Sequence, residues 1–74
     1  MNFYQIENFE KTLTALCTKL DSYMISGNKP KVYDQLEEIK IYVVQNQEHL
    51  PKDLKTHCDS VIRYIINKIQ KEGF

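Results

Sequence analysis

The sequence predicts an all-α fold, an antiparallel up-down-up three-helix bundle, and three observations carry that prediction. Apolar side chains recur at steps of three and four in three separate segments, which is the spacing of one helix face. Each segment is bracketed by residues that start and stop helices. Glycine and proline number only two each, too few for a sandwich or barrel, which needs turn residues about every 8 to 12 positions.

Helix 1 is expected over about residues 3–25. Asn2 can accept from the free backbone donors of the first turn while Gln5 reaches back to the Asn2 N–H, the reciprocal pair of a capping box. Ile6, Phe9, Leu13, Leu16, Leu20 and Tyr23 form its apolar seam, and Ser26, Gly27 and Asn28 mark its end, since glycine takes the left-handed conformation that a Cβ resists.

Helix 2 is expected over about 30–46. Pro30 lacks an N–H and holds φ near −65°, which suits an opening turn. Val32, Leu36, Ile39 and Val43 form the core face, and the polar run from Gln45 to Glu48 ends it. Helix 3, about 51–71, opens at Pro51 with Asp53 at the positive end of the helix dipole. Leu54, Cys58, Val61, Ile62, Ile65 and Ile69 supply its apolar face, and Lys68, Lys71 and Gly73 close it. Links of about four to six residues join antiparallel neighbours, hence the bundle.

At 74 residues the chain reads as one domain spanning 1–74. A core this small, set against roughly 1.5 kcal/mol of conformational entropy per ordered residue, leaves a margin near zero to a few kcal/mol, so association would help it. Lys plus Arg equals Asp plus Glu at ten each, so no net field draws in a polyanion and nucleic acid is a poor expectation. The first ten residues carry no positively charged leader, and no apolar run reaches the roughly 18 residues of a membrane span. A soluble cytoplasmic protein with reduced thiols at Cys17 and Cys58 is expected.

No residue constellation points to catalysis, a cofactor or a small-molecule substrate. His57 and Cys58 are adjacent, but on a helix they point about 100° apart, and the close ligand pairs of a zinc site are missing, so no metal is expected. A Cys–His nucleophile would also need an orienting group and an oxyanion hole. Cys17 and Cys58 should differ by on the order of 10 Å in height along parallel helices, too far for a disulfide. Asp34, Glu37, Glu38, Glu7 and Glu10 read as solvated faces, with Glu7–Lys11 and Asp59–Arg63 as i,i+4 pairs.

What remains is apolar surplus. With the helix 2 core face inward, Tyr33 and Val44 fall on one flank, Tyr42 on the other, and Ile41 points away from the core. Helix 3 has a broad apolar arc from Val61 round to Ile66, with Tyr64 off to the other side. A compact bundle tolerates isolated surface Tyr or Ile. The sharper expectation is that Tyr33, Ile41, Tyr42, Val44, Tyr64 and Ile66 contribute to a patch that meets another protein or a second copy of this chain. That makes the chain a non-enzymatic protein-binding protein of adaptor, chaperone, immunity or inhibitor type, with a homodimer plausible. The rival expectation is a small nucleic-acid-binding regulator using Lys52, Lys55 and Arg63 of helix 3.

Overall fold

The computed structural model describes residues 2–74 and contains helices α1 (Phe3–Ile25), α2 (Lys29–Asn46) and α3 (Lys52–Lys71), with a 3₁₀ turn at Gln47–His49. The capping box forms as expected: Gln5 N–H donates to the Asn2 side chain at 2.9 Å, and the Asn2 N–H donates to Gln5 Oε1 at 2.9 Å. The start of α2 lies one residue earlier than Pro30 because Asn28 accepts from the Lys31 N–H and acts as the cap, placing the proline inside the first turn. Pro51 caps α3 from outside, with Lys52 as its first helical residue.

Both predicted glycine stops are built alike. Gly27 has φ +71° and Gly73 φ +82°. Around the first, the Asn28 N–H donates to the Tyr23 carbonyl and the Gly27 N–H to Met24. Around the second, Phe74 donates to Ile69 and Gly73 to Gln70. This is the Schellman arrangement, and Phe74 adds its apolar contact by packing against the core. A Cβ at Gly27 would meet no atom within 4 Å, so Gly27→Ala costs backbone conformation alone. We expect a loss of about 1 kcal/mol, seen as a drop of roughly 5 °C in the thermal midpoint by circular dichroism; an unchanged midpoint would refute the argument.

Four inter-helix contacts fix the topology. Phe9 near the start of α1 stacks on Tyr42 near the end of α2, with ring centroids 5.2 Å apart and planes at 10°. Gln35 in mid-α2 donates to the Leu16 carbonyl in mid-α1 at 3.1 Å, so α1 and α2 run antiparallel. The Tyr33 hydroxyl at the start of α2 donates to the Phe74 carbonyl just beyond α3, which makes α2 and α3 antiparallel. Asp21 and Lys68 pair at 3.2 Å, both late in their helices, so α1 and α3 run parallel. The up-down-up bundle is thereby closed.

The core is formed by Phe9, Leu13, Leu20 and Met24 of α1, Val32, Leu36, Ile39 and Val43 of α2, Leu50, and Cys58, Ile65 and Ile69 of α3. Ile6, Leu16 and Tyr23 of the predicted seam are half-buried, and Met24 takes the fully buried place beside them. Leu50 is the core residue that periodicity does not announce: it follows the 3₁₀ turn in extended conformation and folds inward at one end of the bundle. Among the described residues, no helix is long and apolar enough to cross a membrane.

Candidate functional site

The six residues expected to form one patch are distributed over different faces. Tyr42 is half-buried, its ring laid over Phe9, and it lines an open cavity of about 420 Å³ between α1 and α2 together with Gln5, Asn8, Thr12, Asn46 and His49. Tyr42 thus serves the α1–α2 seam, not the surface beyond it. Ile66 is half-buried and packs against the core from the α2 side. Tyr33 is partly exposed, but its hydroxyl is spent on the Phe74 carbonyl, which ties the start of α2 to the end of α3.

Tyr64 is exposed on the opposite flank. It borders the α1–α3 groove beside Cys17, Leu20, Asp21, Val61 and Lys68. Like Tyr64, two residues of α2 are left to solvent: Ile41 is 50 % exposed and Val44 65 % exposed. They stand one turn apart on the solvent side of α2, about 100° per residue placing Ile41 nearly opposite the Val32–Ile39 core line. The single patch therefore contracts to this pair, with Ile66 alongside. The antiparallel register set by Tyr33 and Phe74 puts Ile66 roughly level with Ile41, and Ile62 roughly level with Val44 and Gln45.

The thiols are those of buried side chains. Cys58 is fully buried and Cys17 half-buried, and neither is cross-linked. The Asp21–Lys68 register explains why: Cys17 lies level with Tyr64, six residues above Cys58, or about 9 Å along the axis. Burial pushes the Cys58 thiol above its ordinary pKa, with Asp59, Glu10 and Cys17 adding to the effect. Burial, then Asp21, does the same for Cys17. Both stay neutral near pH 7, the opposite of what a nucleophilic or metal-binding thiol needs. Among the described residues, no group of three His, Cys, Asp or Glu side chains is placed to hold a metal ion.

Lys52, Lys55 and Arg63 of α3 share an arc that an acidic residue interrupts. Lys52 and Arg63 point to solvent and Lys55 toward α2, while Asp59 falls between them on the same arc. Lys68 is held by Asp21, whose hydrogen bond and charge raise its pKa. The ion pairs among the described residues are Lys11–Glu7, at 3.3 Å, and Lys68–Asp21. The expected Asp59–Arg63 pair is not formed, in keeping with the few tenths of a kcal/mol that such an exposed i,i+4 contact supplies. No protein-family profile, curated protein or solved structure matches the chain.

Proposed function

We propose that this is a non-enzymatic protein-binding protein of adaptor, chaperone, immunity or inhibitor type, docking through the outward face of α2. One observation supports the reading above the others: Ile41 and Val44, two β-branched side chains a turn apart, are left in solvent by a bundle whose core closes without them. Burying a side chain of this size contributes about 1.5–3 kcal/mol, so a matching surface would gain from covering them. Thiols that are not cross-linked agree with residence in a reducing compartment, and a cytoplasmic protein is the reading we propose.

The test separates docking from folding. Ile41→Glu combined with Val44→Ser changes only exposed positions, so helicity and the thermal midpoint should stay within a few degrees of the parent, the usual range for surface changes of about ±0.5 kcal/mol. Immobilised parent protein should retain a partner from extracts of its native cell, identified by mass spectrometry, and the double variant should lose it. Retention of the same proteins by both would refute docking at this face; collapse of the fold would show that the two side chains are core. Tyr42 is left untouched, because its stacking on Phe9 would confound the readout.

A further inference from the structure

The solvent face of α2 is apolar at its middle and acidic around it. Counted from Ile41, the helical neighbours on the same face are Asp34, Glu37 and Glu38 toward the N-terminus and Val44 and Gln45 toward the C-terminus, with Glu48 in the turn that follows. All are exposed. None of the four carboxylates takes part in an ion pair among the described residues. Of the three lysines of α2, Lys29 opens the helix ahead of this face, Lys31 reaches over the Tyr23 ring on the α1 side, 5.9 Å from its centroid, and Lys40 is half-buried on the α3 side, one turn from Val44 at the edge of the face.

This charge pattern decides between occupants. If two copies crossed antiparallel at Ile41, Asp34 would face Glu48 of the second copy, Glu37 would face Gln45 and Glu38 would face Val44; in parallel, each acid would face itself. Either way the formal charge in the interface is predominantly negative, four carboxylates against Lys40 at its edge, and like charges brought together in a desolvating contact oppose association. A cationic partner reverses every one of those terms. Resting on the docking reading above, we infer that the α2 face receives a basic amphipathic helix, whose apolar stripe covers Ile41 and Val44 while its flanking Lys or Arg side chains meet Asp34, Glu37, Glu38 and Glu48. Helix-on-helix packing of this kind needs only a few apolar anchors, and the surrounding charges set the partner's sign and orientation.

The experiment uses the intact protein and three synthetic helical peptides of about 18 residues, a length that spans α2. One has a leucine stripe flanked by lysines, one the same stripe flanked by glutamates, and one the lysine composition scrambled so that no apolar stripe exists. Each is titrated into isotopically labelled protein and followed by amide NMR shifts. The lysine-flanked peptide should perturb residues 34–48 and bind at least about tenfold more tightly than the other two. Raising ionic strength from about 0.02 to 0.2 M should weaken it severalfold, and Glu37→Lys with Glu38→Lys should abolish its advantage over the glutamate peptide.

Equal binding of the lysine- and glutamate-flanked peptides at residues 34–48 would overturn the charge assignment while leaving docking at Ile41 intact. Equal binding of the scrambled peptide would reduce the face to a non-specific anionic surface and overturn the amphipathic partner. Shifts confined to α1 or α3 would overturn the assignment to α2. Concentration-dependent shifts of 34–48 in the protein alone would make a second copy the occupant and overturn it as well.

Discussion

Phe9→Ala is expected to remove most of the stability of this protein. The ring is 2 % exposed, and it is the side chain on which Tyr42 lies, so its deletion leaves a cavity between α1 and α2 and an aromatic partner with nothing beneath it. Phe→Ala changes at buried sites cost about 3–5 kcal/mol, and an offset ring pair adds roughly 0.5–1.5 kcal/mol beyond area. Against the few kcal/mol of stability that a core of this size leaves, such a loss leaves a large unfolded fraction at 37 °C. Urea unfolding followed at 222 nm measures it directly. A destabilisation under about 1 kcal/mol would mean that the α1–α2 seam does not depend on this ring.

Gln35→Glu should be nearly as damaging, for an electrostatic reason. Gln35 is the one buried polar residue among those described, 3 % exposed, and its amide N–H donates to the Leu16 carbonyl. A carboxylate there would be an acceptor facing an acceptor, deprived of water, at a cost of about 3 kcal/mol or more. Gln35→Leu should cost less, roughly 1 kcal/mol, because the Leu16 carbonyl keeps its own bond within α1. The two variants part company with pH. Burial would hold the new carboxyl above its unfolded value of about 4.3, so the folded form binds the proton more tightly. Stability of Gln35→Glu therefore rises as pH falls through the raised folded value and levels off below the unfolded one, whereas Gln35→Leu shows no such rise. Melting curves at a series of pH values distinguish them; parallel profiles would refute the buried-acceptor account.

The three helices were legible because each announces itself by local chemistry. Asn2 with Gln5, Gly27, Pro30, Pro51 and Gly73 act within a few residues of where they stand, and the apolar steps of three and four mark the inward faces without reference to a partner. Leu50 was not legible, since it belongs to no repeat and becomes core only because the 3₁₀ turn swings it inward. Gln35 reads as a polar residue on the shoulder of α2, and only the register against α1 shows that its amide is enclosed.

The candidate site was legible in part. A helical wheel already separates Tyr42 from Tyr33 and Val44, but it cannot tell that the Tyr42 ring finds Phe9 or that the Tyr33 hydroxyl finds Phe74, contacts spanning tens of residues. Once those two are assigned to the fold, and Ile66 to its shoulder, Ile41 and Val44 stand out. The carboxylates around Ile41 read individually as ordinary solvated acids. Their common sign on a single face becomes informative only when the lysines of α2 are seen to lie on its flanks.

The clasp between Tyr33 and Phe74 has a practical corollary for handling the molecule. Residue 74 is held beside the first turn of α2, eight positions from Ile41, or about 12 Å along the helix axis. A tether, dye or surface attachment joined through that residue thus leaves from the tip of the rod, and the α2 flank stays clear for whatever is offered to it.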